Sequence, residues 1–332
     1  MEDLPSVSII IPCRNEKEFI PLCLNSLLNN NYPRDKMEIL VIDGMSQDGT
    51  REVAKEYVEK YSFIHLLDNP KLITPSALNI GVRRSRNNII IRIDAHAVYK
   101  TDYISKSVTY LEKYNADNIG GIWIIVPRKD TIIGRGIAKS LSSFFGTGNA
   151  YYKIGSENFR AVDTVPFGCY RKEIFTKIGF FNENLERSQD MEFNTRLKRN
   201  GGKIYLFPEI VGYYYARSGL KEFFIHNFKD GIWAVYPLKF VRMAFKFRHY
   251  IPLMFVSSLI LLFALSSLSE YIFYLFCGLI FFYLCSLIYF SIKISSVEKD
   301  PTLLLSLPVA FAVRHFGYGL GSIWGIIKII LD

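Results

Sequence analysis

Arg92, Asp94 and His96 stand at alternate positions where the apolar run NIIIRIDAHAVY (88–99) comes to its end. In an extended strand, residues at i, i+2 and i+4 share a face, so the three side chains are expected to point the same way. A carboxylate, an imidazole and a guanidinium on one side of a strand tip could hold a metal ion and the phosphates it neutralises. Alone, His96 reads better as a solvated surface histidine; with Asp94 and Arg92 beside it, the metal reading prevails. Nitrogen ligation tilts the preferred ion from Mg2+ towards Mn2+. For Arg92, phosphate contact and a salt bridge to a neighbouring acid are both open.

Further candidates sit at similar places. Asp43 closes the run MEILVID, where a carboxylate at a strand tip can accept hydrogen bonds from a base or ribose. Asp48, just before GTREVAKEY, reads as a helix cap. In RSQDMEFNTRLKRNGG, Gln189 and Asp190 open a helical pattern that a glycine pair ends, with Phe193 and Leu197 inward. Asp190 is there either a helix N-cap or an acid facing the open strand ends. Glu192 and Arg196, four residues apart, read as a surface ion pair. Asn79 lies midway along a helix, where its low propensity hints at a role.

These residues need a scaffold. Short apolar runs at 7–12, 37–43, 63–67 and 88–99 alternate with helical segments after Glu16, after Gly49 and through PSALNIGVRRS. Such alternation predicts an α/β domain with a largely parallel sheet, whose strands are continuously apolar because both faces are covered. Ligands of open sheets bind at the carboxyl ends of strands, where the polar residues collect here. A nicotinamide site would need GxGxxG after the first strand, and PCRNEKE has no glycine.

From Tyr250 the composition changes. The 332 residues are 50% hydrophobic, with mean hydropathy +0.15, and the excess concentrates in YIPLMFVSSLILLFALSSLS and YIFYLFCGLIFFYLCSLIYFSI. Each run is about the 20 residues that cross a bilayer, so a transmembrane hairpin over 250–292 is expected. The net charge of +9 would suit nucleic acid. However, Lys239, Arg242, Lys246 and Arg248 precede the first run, and Lys293 and Lys299 follow the second. That distribution points to anionic lipid headgroups, no nucleic acid, and a catalytic domain on the cytoplasmic face of the cell membrane. The start, MEDLPSVSIIIP, carries no signal-peptide pattern. Residues 221–249 mix aromatic and basic residues as interfacial amphipathic helices do. The segment 302–331 contains Pro308 and the Arg314–His315 pair, so it is interfacial, re-entrant or a third span; if it spans, Arg314 could meet a lipid-carrier phosphate. The five cysteines form no CxxC pair and read as reduced, buried thiols.

VSIIIPCRNE, EILVIDGMSQDGT, SALNIGVRRS, RIDAHAVY and SQDMEFNTRLKRNGGKI, in that order, resemble the inverting family 2 glycosyltransferases of A-type fold, and within them the membrane-anchored succinoglycan-biosynthesis-like branch. The resemblance spans about residues 5 to 235. It implies a nucleotide-sugar-binding domain with a Rossmann-like mixed sheet over 1–220, followed by interfacial helices and a multi-pass membrane region over 250–332. It also assigns roles. Asp94 and His96 match the metal motif in an Asp-x-His form; Asp190 matches the general base, and Gln189 stands where relatives carry another acid, beside donor or acceptor. Pro12, Glu16, Asp43, Asn79, Arg92 and Asp94 fall on nucleotide-binding positions, while Arg217 would close over the diphosphate. FGCYRKEIF (167–175) corresponds to a segment beside the donor sugar. Where many relatives pair two acids in the second motif, Asp43 is followed by Gly44, so base contacts rest on Asp43 alone.

The activity this implies is metal-dependent transfer of a sugar, from a UDP-sugar as expected donor, to a lipid-linked saccharide in cell-surface glycan, exopolysaccharide or glycoprotein-glycan synthesis. The rival readings are a polyprenyl-phosphate sugar synthase and a catalytically silent nucleotide-binding scaffold. A processive synthase is disfavoured because its Gln-x-x-Arg-Trp motif is absent.

Overall fold

The computed structural model describes residues 4–241 and 246–331; Arg242, one of the basic residues before the first apolar run, lies outside them. The chain begins with β1 (Val7–Cys13), α1 (Ile20–Leu28), β2 (Met37–Asp43), α2 (Thr50–Lys60), β3 (Ile64–Asp68), α3 (Thr74–Arg84) and β4 (Ile89–Arg92). Then come β5 (Ala97–Tyr99), α4 (Tyr103–Lys113), β6 (Asn118–Pro127), α5 (Ile132–Leu141), α6 (Phe144–Thr147) and α7 (Tyr151–Ile154). They are followed by β7 (Arg160–Ala161), β8 (Cys169–Arg171), α8 (Glu173–Ile178), α9 (Gln189–Arg199) and β9 (Ile204–Ala216). Four long helices close the chain: α10 (Leu220–Val235), α11 (Ile251–Leu265), α12 (Glu270–Glu298) and α13 (Leu303–Leu331). Two compact units divide it, Met1–Ile124 with Gly155–Tyr214, and Ile125–Ile154 with Tyr215–Asp332.

The sheet runs β3-β2-β1-β4-β8-β6-β9-β5, with β7 on β9. Its first four strands are parallel; β8 turns the direction, pairing antiparallel with both β4 and β6. The sheet is therefore mixed, and its parallel half reads as the sequence predicts: Ile9, Ile11, Ile39, Val41 and Ile91 are wholly buried. β8 makes the reversal possible because the chain returns to β4 through loops and short helices, without a βαβ crossover.

Close backbone approach is built in with glycine. A Cβ at Gly121 would fall inside the van der Waals shell of the Ile210 carbonyl oxygen. Gly121→Ala is expected to destabilise the fold by about 3 kcal/mol, because backbone cannot move aside as a side chain can. Denaturant unfolding of the variant checks this.

One expectation fails at the strand of greatest interest. β4 stops at Arg92, and residues 93–96 leave the strand before β5 begins. Asp94 and His96 therefore sit on a turn beyond the ladder, not on one strand face with Arg92. The Glu192–Arg196 pair also differs. Glu192 is buried, and Arg196 bonds both its oxygens as well as the carbonyls of Ile178 and Phe180. It is an internal tie holding the end of α8 against α9.

In the second unit, α12 and α13 are each 29 residues and apolar enough to cross a membrane. The first arm of the expected hairpin is shorter. At 15 residues, α11 rises about 22 Å, less than the ~30 Å hydrocarbon core. The segment 302–331 forms a single continuous helix in which Pro308 is accommodated. α10 does not lie by itself: Gly317, Gly321 and Gly325 of α13 lie against the backbone or side chains of Phe224, Phe228 and Ile232, and Gly231 meets Tyr318. Spacing of small residues by four lets two helix backbones touch. Three cysteines are buried, but Cys277 and Cys285 are exposed on the apolar surface of α12, so burial does not extend to all five.

Candidate active site

The site grows from the end of β4 in the first unit. The backbone N–H of Arg92 donates to Gly168 and that of Ile93 to Ile10, which fixes the strand tip between β8 and β1. Beyond it the chain turns, and Tyr99 holds the turn: its hydroxyl accepts from the N–H of Asp94 at 2.9 Å and donates to the Asp94 carbonyl at 3.2 Å. Nothing in the sequence pattern marked Tyr99 as a site residue. The signal was its own chemistry, since a buried tyrosine hydroxyl needs a polar partner.

Arg92 is buried and joins two acids. Its guanidinium donates to Asp94 Oδ1 at 3.1 Å and to Asp190 Oδ2. Burial alone would lower its pKa, but the charges of Asp190 and Asp94 outweigh that cost and hold it protonated. Of the two readings of Arg92, the ion pair is what this conformation shows. Residues 92, 94 and 190, 98 positions apart at their ends, thus form one cluster.

Asp190 is the second residue of α9, inside the helix, so it is not the N-cap. The cap position is Ser188, held at φ 61° with no side-chain cap bond. A serine in the left-handed region is a strained turn, and it places Gln189 and Asp190. Gln189 is buried. Asp190 Oδ1 is buried with no hydrogen-bond partner among the described residues. Burial raises the Asp190 pKa against the opposing pull of Arg92. A carboxylate with one anchored and one vacant oxygen is equipped to take a proton there. The sign follows directly: a raised pKa keeps the proton longer, so the acidic limb of the rate profile should lie above the ordinary Asp range near 3.9. A pH series of kcat measured between pH 4 and 8 checks this.

His96 turns from Arg92 to Glu16. Its Nδ1 lies 2.9 Å from Glu16 Oε1, and its ring meets Tyr214 edge-on at 5.1 Å. Tyr214 stacks on Trp123, which packs on Phe167, forming an aromatic wall behind the imidazole that sequence spacing did not disclose. Glu16 on Nδ1 sets the tautomer and leaves Nε2 as the coordinating nitrogen, the usual arrangement behind a metal-bound histidine. Asp94 likewise keeps its second oxygen. Among the described residues no three or more His, Cys, Asp or Glu side chains are grouped to hold an ion. Asp94 and His96 thus fit a cation that substrate phosphates complete, as hard divalent ions are often bound.

The other candidates are placed elsewhere in the same unit. Pro12 lies in β1 opposite Ile42. Asp43 is fully buried, accepting from the Ser46 N–H at 3.0 Å, the Ser46 hydroxyl at 2.5 Å and Arg51 at 2.8 Å. It organises the loop 44–49. Asp48 takes the expected capping part, accepting from the Thr50 N–H at 3.0 Å. Asn79 is buried and its amide is used by Phe181 and Glu183, so it ties α3 to residues 181–183 and is not joined to the Arg92 cluster. Arg217 follows β9 and belongs to the second unit.

The fold and these residues have known counterparts. The model of "Glycosyl transferase family 2" matches residues 8–179. A dolichyl N-acetyl-alpha-D-glucosaminyl phosphate 3-beta-D-2,3-diacetamido-2,3-dideoxy-beta-D-glucuronosyltransferase of Methanococcus voltae is 31% identical over 222 residues, 65% of this chain and 69% of that protein. The succinoglycan biosynthesis protein ExoA of Rhizobium meliloti is 29% identical over 238 residues, 69% of this chain and 70% of its own. Among solved structures, a mannosyltransferase of Pyrobaculum calidifontis in complex with GDP-Man and Mn2+ superposes with TM-score 0.63 at 18% identity, covering 95% of this chain and 88% of that one.

Proposed function

Because the chain belongs to glycosyl transferase family 2, we propose that it is a membrane-bound, inverting glycosyltransferase that moves a sugar from a UDP-sugar to a lipid-linked saccharide. The acceptor hydroxyl attacks the anomeric carbon as the bond from that carbon to the diphosphate oxygen breaks. The hydroxyl proton passes to the vacant Oδ1 of Asp190, and the nucleoside diphosphate departs. Asp94 and His96 would hold a divalent cation, Mn2+ in preference to Mg2+, which offsets charge on the leaving diphosphate. Arg92 keeps Asp190 and Asp94 in register. Pro12, Glu16, Asp43 and Asn79 shape the nucleoside side of the site, Asp43 through its loop and Asn79 through residues 181–183. Gln189 faces donor or acceptor, and Arg217 closes over the diphosphate.

One observation carries this reading: a buried arginine gathers the candidate base and the candidate metal carboxylate into one cluster at the strand end. The lipid-linked acceptor is supported by the Methanococcus relative, whose name contains a dolichyl-linked sugar phosphate. Membrane residence is supported by α12 and α13, and the flanking basic residues favour a multi-pass protein with its catalytic unit on the cytoplasmic face. The divalent cation is supported by the Pyrobaculum complex. The test is transfer of radiolabelled sugar from UDP-sugars, with GDP-Man as the competing donor, onto a lipid-linked saccharide with Mn2+ or Mg2+. Anomeric configuration of the product would be assigned by NMR. A retained configuration or release of pyrophosphate would overturn the reading.

A further inference from the structure

Arg314 sits near the middle of α13, a 29-residue helix apolar enough to cross a membrane. A guanidinium there is expensive unless it is partnered. Its two hydrogen bonds go to neutral oxygens, the Gly146 carbonyl and, at 2.7 Å, Asn227 Oδ1. Asn227 is wholly buried and donates its own N–H to Phe223. The arginine is thus oriented by its partners but not neutralised by them.

Two further cations act at the same place. Lys153 of α7 is half-buried, and its pKa is pushed down to about 7 by burial and by the charges of Arg314 and Arg248, with Asp230 pulling the other way. Arg248 is fixed by Asn149, to whose Oδ1 it donates at 2.9 Å. Tyr318, one turn beyond Arg314, adds a hydroxyl 3.1 Å from His249 Nδ1. Asp230 contributes one negative charge, 3.3 Å from His226, so three basic groups exceed the acid that faces them. Such a surplus, held by neutral oxygens in a half-buried place, is matched by a dianion.

We propose that Lys153, Arg248 and Arg314 form a binding site for the phosphate or diphosphate of the lipid-linked acceptor. The proposal rests on the glycosyltransferase reading above, which already gives the nucleotide's diphosphate a place at Asp94 and His96. A lipid is favoured over a soluble phosphate because the helix that carries Arg314 also carries an exposed apolar surface, with Leu320, Trp324 and Ile327 on it. A hydrocarbon tail can lie along that surface while the head meets the cations. Arginine's planar fork suits two phosphate oxygens at once.

The test uses the full chain in detergent and reads ligand-dependent thermal stabilisation. The probes are a short-chain isoprenyl monophosphate, the matching isoprenol, inorganic phosphate and phosphatidylglycerol. Expected is stabilisation by the isoprenyl phosphate, none by the isoprenol, and at least tenfold weaker responses to inorganic phosphate and phosphatidylglycerol. Lys153→Gln and Arg248→Gln should each weaken isoprenyl phosphate binding tenfold or more. Arg314→Lys, which keeps the charge if Arg314→Gln fails to fold, should weaken it less than either. Unchanged affinity in both glutamine variants overturns the site. A response to inorganic phosphate or phosphatidylglycerol equal to that of the isoprenyl phosphate overturns the lipid-carrier assignment. Stabilisation by UDP-sugars with Mn2+, read on the same samples, reports on the glycosyltransferase reading separately. Its loss in the wild type would sink that reading, whereas its retention in variants that no longer bind isoprenyl phosphate shows them folded.

Discussion

Asp190→Asn is expected to lower kcat for sugar transfer by roughly 10³-fold, within the range a positioned general base contributes, with donor binding nearly unchanged. The substitution keeps the shape of the side chain and leaves Asp94 as partner to Arg92, so the cluster should persist. What disappears is the proton-accepting capacity of the vacant oxygen. Rates measured with saturating donor, beside a thermal melt of the variant, separate lost chemistry from lost fold. A near-normal rate would refute the base assignment. It would favour instead an acceptor whose attacking atom is already an anionic phosphate oxygen, the chemistry of a polyprenyl-phosphate sugar synthase.

Stripping divalent cations with EDTA should have an effect of similar size. Charge stabilisation by a metal ion is worth several kcal/mol, which at 1.36 kcal/mol per tenfold amounts to roughly 10³-fold. Mn2+ should restore more activity than Mg2+ because His96 offers nitrogen. His96→Asn, which presents a neutral oxygen, should narrow that preference, whereas Asp94→Asn should weaken the response to both ions. Activity indifferent to EDTA would remove the cation from the reading. Equal rescue by the two ions in the wild type would remove the nitrogen ligand's part in it.

Much of the scaffold was legible because its signals are local. Continuous apolar runs gave β1, β2 and β4, and the helical periodicity with its terminal glycines gave α9. The site was legible in part. Asp94, His96 and Asp190 were identifiable by type and position, but their relation was not, since Arg92 reaches Asp190 across 98 positions. No local pattern records such a contact. Strand periodicity misled at 93–96, where apolar residues continue although hydrogen-bonded pairing stops: Ile93 and Ala95 are buried by packing outside the ladder. Asn79 and the Glu192–Arg196 pair misled for the converse reason. A polar side chain on a helix looks solvated in sequence, yet both are internal ties, visible only once the segment 178–183 is folded against them. The membrane helices were legible by composition, but the length of α11 was not, because hydropathy does not report where a helix stops.

The glycines that bring α10 and α13 together have a practical side. Because Phe228 and its neighbours meet the Gly321 backbone directly, that seam contains little hydrocarbon for a surfactant to replace. Solubilising agents should exchange freely on the outer faces of α12 and α13 yet leave this pair joined, so a preparation stripped of its native lipids can still retain the geometry around Asn227.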